Sequence, residues 1–149
     1  MSRRPYVSTY FSPDRGAADQ VIGFLDRCEL TIDAAVYAQT HDGIRDALLR
    51  AHARGVRVRF LTDGLMASSR WSDDEALELS GVHVLRDTQA GSMHHKFVIG
   101  DSKAVITGSF NWSKNADLRN FENFVIVRLK YVVTAFQGEF DSMWDLNLD

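Results

Sequence analysis

The sequence predicts an α/β protein with a mixed, mainly parallel β-sheet that is flanked by helices on both faces. Up to Leu85, short apolar and β-branched runs alternate with stretches of helical periodicity, an order typical of parallel strands joined by helices. Two further strand-like runs lie on either side of residues 100–103, whose sequence Gly-Asp-Ser-Lys predicts the turn of an antiparallel hairpin. The length of 149 residues suits one hydrophobic core, so we expect a single domain over residues 1–149.

The elements before the hairpin follow from apolar spacing and from helix-end signals. Ser12 is expected to cap the first helix, with Pro13 at its first position, and Gly55 is expected to end the second. A capping box at residues 72–75 predicts a short third helix. The apolar stripes of the first two helices are Ala18, Val21, Ile22, Leu25 and Cys28, and then Ile44, Ala47, Leu48 and Ala51. Strands are predicted at residues 7–11, 30–37, 56–61 and 82–85.

The later elements comprise the hairpin, one more strand and a final helix. The hairpin strands are predicted at residues 94–99 and 104–109, and a buried strand is predicted at residues 123–129 because residues 124–127 are continuously apolar. A C-terminal helix is predicted from the stripe of Val133, Phe136, Phe140, Met143 and Trp144.

Composition excludes some functions and weakens others. The 17 lysines and arginines against 20 aspartates and glutamates give a net charge of −3, which argues against a protein that coats nucleic acid but allows a local basic cleft. Cys28 is the single cysteine, so the chain holds neither an internal disulfide nor a multi-cysteine zinc site. No apolar run approaches the ~20 residues of a membrane span. With Met1 as the native start, the absence of a signal peptide predicts a cytoplasmic protein.

The predicted hairpin brings together the side chains best suited to react with a ligand. With the turn centred at residues 101–102, His94 is expected opposite Ser109, and Lys96 opposite Thr107. Residues opposite one another, and residues two apart on one strand, point to the same face. An imidazole, a cation and a hydroxyl therefore converge on one patch. This set of groups is suited to binding an anion and reacting with it.

The spacing of these residues resembles a known family signature. His94-x-Lys96, four residues and then Asp101, with Gly108-Ser109-x-Asn111 after it, is similar to the HKD motif of the phospholipase D superfamily. The similarity continues at Ala116, Asn120, Glu122 and Asn123, at offsets like those of nuclease-like members. The resemblance implies a phospholipase D-like fold. It also implies a homodimer, because single-motif members pair to build one site from two motifs.

The residue types suggest how a phosphodiester would be cleaved. A neutral His94 imidazole can attack phosphorus, Lys96 supplies the charge that a metal would otherwise supply, and Ser109 and Asn111 donate to the non-bridging oxygens. The leaving oxygen needs a proton, and His94 of a second copy is the simplest source. The resemblance assigns Glu122 the role of orienting His94. We therefore expect no metal and no cofactor.

Other candidates fall outside this patch. Asp101 lies at the turn, about 23 Å of strand from His94, so we assign it a structural role. Four secondary candidates for substrate contact are Arg70, Trp112, Lys114 and Arg119. Trp112 could stack on a base or pack in the core, and the three charged residues could equally be solvated surface.

Three functions compete at this stage. The leading one is a metal-independent nuclease that cleaves DNA or RNA through a phosphohistidine intermediate at a site shared by two protomers. The second is a phospholipid-directed phosphodiesterase or phosphatidyl transferase, and the third is a non-catalytic nucleic-acid-binding module. A serine hydrolase using Ser109 is disfavoured because the chain has no G-x-S-x-G elbow.

Overall fold

The computed structural model describes residues 3–148, and within this range one mixed sheet of seven strands has helices against both faces. The predicted α/β class is confirmed. The strands are β1 Val7–Phe11, β2 Thr31–Val36, β3 Arg57–Asp63, β4 His83–Asp87, β5 Lys96–Gly100, β6 Ala104–Gly108 and β7 Asn123–Val127. The helices are α1 Ala17–Asp26, α2 Asp42–Ala53, α3 Gly64–Ala67, α4 Asp74–Leu79, α5 Lys114–Leu118 and α6 Lys130–Leu146.

The sheet is mixed, but its balance differs from the prediction. The strand order is β1-β7-β6-β5-β2-β3-β4. Among the described strands, four of the six neighbouring pairs are antiparallel, and only β2–β3 and β3–β4 are parallel. The expected predominance of parallel pairs is wrong, because the strand–helix alternation that begins at β1 yields parallel pairs only from β2 to β4. Strand β1 instead crosses to the far edge and pairs antiparallel with β7.

The alternation of side chains along β5 and β6 divides the core into two layers. Val98 and Ile106 point to the face that α1, α2 and α4 cover. Phe97, Ile99 and Val105 point to the other face, where Val133, Phe140 and Trp144 of α6 pack against them. In the part of the chain that the structure describes, no helix is long and apolar enough to cross a membrane.

The hairpin turn forms as predicted, but the strand register does not. Asp101 and Ser102 both have positive φ, and the Lys103 N–H donates to the Gly100 carbonyl oxygen at 2.9 Å, as in a type I′ turn. Gly100 then pairs with Ala104, so Lys103 is an extra residue in the second strand. The strand register is therefore shifted by one residue from the predicted pairing.

This shift changes the predicted neighbours. Thr107 pairs with Phe97 and not with Lys96. The expected pairing of His94 with Ser109 is also wrong, because β5 begins only at Lys96 and β6 ends at Gly108. The site residues therefore flank the strand ends and do not share one face of the hairpin.

The first helix begins later than predicted. Gly16, and not Ser12, precedes α1. Ser12 is buried, and its hydroxyl donates to the Asn120 carbonyl oxygen at 2.9 Å while its N–H donates to that of Glu122 at 3.1 Å. The segment after β1 is thus tied to the segment before β7, and this contact takes the place of the expected helix cap.

Candidate active site

Five predicted site residues lie at the end of the sheet opposite the hairpin turn. His94 lies two residues before Lys96, which opens β5, while Ser109 and Asn111 follow β6. Glu122 directly precedes β7. Because β5, β6 and β7 are adjacent and antiparallel, the start of β5, the end of β6 and the start of β7 lie together at one end of the sheet.

The central contact is between His94 and Lys96. Lys96 Nζ lies 2.7 Å from His94 Nδ1 and 3.2 Å from Nε2, and it donates to the His94 carbonyl oxygen at 2.6 Å. The His94 side chain is exposed, whereas Lys96 is half-buried. Burial lowers the pKa of Lys96, and the nearby Glu122 carboxylate acts in the opposite sense by favouring the ammonium. The result is a cation held against an accessible imidazole.

Tyr37, predicted only as the last residue of a strand, supports this pair. Its ring lies 4.5 Å from the His94 ring and 5.3 Å from Lys96 Nζ, so it packs on both. The Tyr37 N–H also donates to the His95 carbonyl oxygen at 2.8 Å, which fixes the backbone between the two site residues. The signal in the sequence is only indirect: Tyr37 follows β2, the strand that pairs with β5.

Ser109 and its preceding glycine shape the approach of β6 to β7. The Ser109 hydroxyl oxygen accepts from the Asn123 N–H at 3.2 Å, which leaves its hydrogen available to a ligand. The Ser109 N–H donates to the Asn123 carbonyl oxygen at 2.9 Å. A Cβ on Gly108 would collide with that same carbonyl oxygen and with the Cα of Phe124, so the close approach requires glycine.

Asn111 carries an unused polar atom. Its Oδ1 is buried and, within the described residues, has no hydrogen-bond partner. A buried polar atom without a partner costs about 1–3 kcal/mol, and this cost would be offset if a ligand supplied the partner. A half-turn of the amide would present an N–H at the same point, which would suit an anionic oxygen.

Glu122 lies beside the pair without a hydrogen bond to His94. Its Oε1 accepts from Asn120 Nδ2 at 3.4 Å, and the contacts of the described residues include none between Glu122 and either His94 ring nitrogen. Its electrostatic effect on Lys96 nevertheless places its charge close to the site. The role of Glu122 in orienting His94 stays a prediction.

Asp101 lies at the turn, at the opposite end of the hairpin. Its carboxylate accepts from the N–H groups of Glu29, Leu30 and Thr31, at distances of 2.7–3.2 Å. Burial acts to raise the pKa of Asp101, but these three N–H groups, joined by Lys103, hold it below the ordinary value. The carboxylate fastens the hairpin tip to the start of β2.

The secondary candidates divide into one core residue and three surface residues. Trp112 is 2% exposed and packs 6.3 Å from the Phe60 ring, so its assignment to substrate stacking is wrong. Arg70 lies over the ring of exposed Trp71 at 4.6 Å, and Lys114 lies 3.4 Å from Asp42. These residues line an open groove of about 560 Å³. Arg119 is exposed.

The other imidazoles are engaged elsewhere. His95 points towards α6, 3.4 Å from Glu139, and His41 accepts from the Ile44 N–H at the start of α2. His52 and His83 line a separate surface pocket. Among residues 3–148, no second imidazole contacts His94. Within the same range, no three His, Cys, Asp or Glu side chains gather closely enough to hold a metal ion.

The fold and this arrangement define a class of protein. It is an α/β protein whose candidate site holds an exposed imidazole, an ammonium and an amide at adjacent strand ends, which is a set of groups chemically suited to an anionic ligand.

Comparison with known proteins identifies the family. The family model described as cardiolipin synthase, PLD-like domain, matches residues 21–144. A mitochondrial cardiolipin hydrolase from Chlamydomonas reinhardtii is 36% identical over 84% of this chain and 56% of its own length. A phospholipase D from Rickettsia conorii is 38% identical over 83% of this chain and 62% of its own length. The chain therefore belongs to the phospholipase D-like family.

A solved structure agrees with this assignment over the whole fold. Nuc, a phospholipase D family member from Salmonella typhimurium, matches with a TM-score of 0.90 and 29% identity over 96% of both chains. The chain thus spans between 56% and 62% of the length of the two curated relatives named above.

Proposed function

We propose that this chain is a phosphodiesterase that cleaves nucleic acid without a metal ion, at a site completed by a second copy. The observation that carries this proposal is the exposed His94 imidazole with Lys96 Nζ 2.7 Å from its ring, in a chain of the phospholipase D-like family.

The reaction follows from the chemistry of these groups. A neutral His94 nitrogen attacks phosphorus, and a P–N bond forms as the P–O bond to the leaving group breaks. His94 of the second copy gives its proton to the leaving oxygen, and it then accepts a proton from the water that hydrolyses the phosphohistidine. Lys96 turns from the imidazole to the anionic phosphate, while Ser109 and Asn111 donate to the non-bridging oxygens.

A second copy has a suitable place to bind. Phe121 is 85% exposed, and exposed Leu118 and Phe11 lie on the neighbouring segments. The Ser12 N–H donates to the Glu122 carbonyl oxygen, which holds the end of β1 beside these residues. We call Phe11, Leu118 and Phe121 the Phe121 patch. Because it borders Glu122, a dimer formed through it would bring two copies of the site together.

The groove lined by Trp71 favours nucleic acid as the substrate. Trp71 is 68% exposed, which suits stacking on a base. Arg70 lies over one face of the Trp71 ring and Lys114 lies on the groove wall, so two cations are available for backbone phosphates. Thr40 in the same groove lies three residues from Tyr37, which links the groove to the site.

Phospholipid is the second candidate substrate, and one observation favours it. Leu65 is 82% exposed on α3, in the same β3–α4 connection as Trp71, and such a pair could enter the surface of a bilayer. The names of the curated relatives, cardiolipin hydrolase and phospholipase D, point in the same direction. The cytoplasmic location expected from the sequence remains a separate prediction.

The deciding experiment is a substrate panel in EDTA. Single-stranded DNA, plasmid DNA, RNA and vesicles of cardiolipin are incubated with the protein, and its molar mass is measured in the same buffer. We expect cleavage of nucleic acid, intact vesicles and a dimer. Activity that is lost on chelation and restored by a divalent metal would contradict the mechanism.

Two variants between β3 and α4 distinguish nucleic acid from phospholipid as the substrate. Trp71→Ala is expected to slow nucleic-acid cleavage, whereas Leu65→Ser leaves it unchanged. If cardiolipin is the substrate, both variants reduce hydrolysis of vesicles, and wild-type protein leaves nucleic acid intact.

A further inference from the structure

A second concentration of positive charge lies at the turn end of the hairpin, away from the candidate active site. There a pocket of about 210 Å³ opens beside the last turn of α1. Phe24, Gly100 and Ala104 form apolar parts of its wall. Four cationic side chains line it: Arg4, Arg27, Lys103 and Arg128.

In the described part of the chain, these four cations lack a close carboxylate partner, in contrast to six of the seven arginines between residues 45 and 86. Within residues 3–148, six other arginines lie within 4.0 Å of a carboxylate: Arg45, Arg50, Arg54, Arg57, Arg59 and Arg86. None of the described contacts pairs a cation of the pocket with a carboxylate in this way. The one acid in the described pocket wall is Asp101, whose oxygens already accept three backbone N–H groups.

Arg128 is held in place at this pocket. It is half-buried, and its Nη1 donates to the Pro5 carbonyl oxygen at 3.0 Å and to Ser8 Oγ at 3.2 Å. Burial lowers the pKa of Arg128, and the guanidinium groups of Arg4 and Arg27 lower it further because like charges repel. Three guanidinium groups therefore crowd one small space, and a bound anion would relieve their repulsion.

We propose that this pocket binds a small molecule through a terminal phosphate group, independently of the candidate active site. Guanidinium groups match phosphate oxygens with pairs of parallel hydrogen bonds, and the pocket volume suits one or two phosphate groups. The five residues of β7 separate Asn123, beside the active site, from Arg128, a distance of about 17 Å. The inference goes beyond the proposed function, since this site contains neither His94 nor Lys96.

Titration followed by amide NMR tests the proposal, because each site has its own reporters. The probes are inorganic phosphate, diphosphate and AMP, added to the full chain up to about 10 mM, ten times a 1 mM dissociation constant. The amides of Gly100 and Lys103 report on the pocket, and the amide of Ser109 reports on the active site. We expect both sets to shift and to fit independent binding curves.

The variants identify the binding groups. Arg27→Gln with Arg128→Gln is expected to weaken binding at Gly100 and Lys103 at least tenfold while leaving the Ser109 response unchanged. The matched control, Arg15→Gln with Lys130→Gln, changes two exposed cations outside the pocket and should keep both responses. Arg27→Gln alone, at an exposed position, serves if the double variant does not fold.

Three outcomes would overturn the proposal. One is the absence of any shift at Gly100 and Lys103 with the three probes. Another is an equal shift in the Arg27/Arg128 variant and the control. The third is binding of a short oligonucleotide, added as a fourth probe, at least tenfold tighter than that of AMP, which would make the pocket part of a nucleic-acid path and not a small-molecule site.

Discussion

The two ends of the β5–β6 hairpin differ in how their polar groups are used. At the turn, the Asp101 carboxylate accepts three backbone N–H groups. At the other end, His94 is exposed and the buried Asn111 Oδ1 has no partner among the described residues. Polar groups with hydrogen-bond partners stabilise a fold, whereas a buried polar atom without a partner can bind a ligand. The hairpin thus has a stabilising contact at its turn end and the candidate active site at its other end.

The largest expected effect comes from removing the nucleophile. His94→Ala should lower phosphodiesterase activity by at least about 10³-fold, because both the attacking nitrogen and the general acid are lost from a shared site. His95→Ala is the matched control, since its ring faces α6 and contacts Phe97 and Glu139. The measurement is initial rate with unchanged melting temperature. Normal cleavage by His94→Ala would show that the His94 end of the hairpin is not the active site.

The next effect tests whether the active end needs a second copy. Phe121→Glu places a charge in the Phe121 patch and should shift the molar mass in solution towards the monomer, with activity reduced at least about tenfold. Tyr131→Glu is the control, because Tyr131 is also exposed but lies on α6. Sedimentation and rate are measured at one concentration. A dimeric, active Phe121→Glu protein would show that the interface lies elsewhere.

A smaller effect is expected at the turn, and on stability only. Asp101→Asn should lower the free energy of unfolding by about 1–2 kcal/mol, since a partly exposed carboxylate loses charge-assisted hydrogen bonds. Activity below the melting transition should stay unchanged. Asp145→Asn, an exposed position, provides the control in urea unfolding. A selective loss of activity in Asp101→Asn would contradict the division between the two ends.

The pH dependence of stability gives a second measure of the same end. The pKa of Asp101 lies below its ordinary value, so its stabilising contribution is present above about pH 4 and is lost as pH falls through the folded-state pKa. In Asp101→Asn the acid-side loss of stability should be shallower. An identical acid limb in the variant and the wild type would show that Asp101 contributes nothing there.

The smallest effect concerns Glu122 and the alkaline limit of activity. Burial lowers the pKa of Lys96, so the rate should fall as rising pH removes its proton, earlier than for an exposed lysine. Glu122 opposes this, and Glu122→Gln should therefore move the alkaline limb to lower pH by a fraction of a unit. Glu139→Gln is the control. A lower plateau at all pH values would instead support the role of Glu122 in orienting His94.

The sequence predicts the parts of this protein that depend on local pattern. The strands at β2, β3 and β7 follow from apolar runs, and the turn follows from Gly100 and Asp101. The register could not be predicted, because one extra residue at Lys103 moves every pair and is invisible in composition. Helices α3 and α5, of four and five residues, are too short to show periodicity.

The candidate site was found from motif spacing, but its supporting contacts were not. Tyr37 reaches His94 through the pairing of β2 with β5, a contact between residues far apart in the chain. The same limit explains Trp112, whose aromatic ring fits both stacking and core packing until its burial is known. Residue type identifies what a side chain can do, whereas long-range packing decides whether it is accessible.

Strand β5 is the middle strand of the described sheet, and it is secured at both ends. Asp101 ties its turn end to the start of β2, and the Tyr37 N–H binds the His95 carbonyl oxygen at the other. Local opening is therefore least favourable along this strand, so its amides should be among the slowest in the protein to exchange with deuterium. A side chain carried beside such a strand is therefore held in a more constant position than one carried on an edge strand.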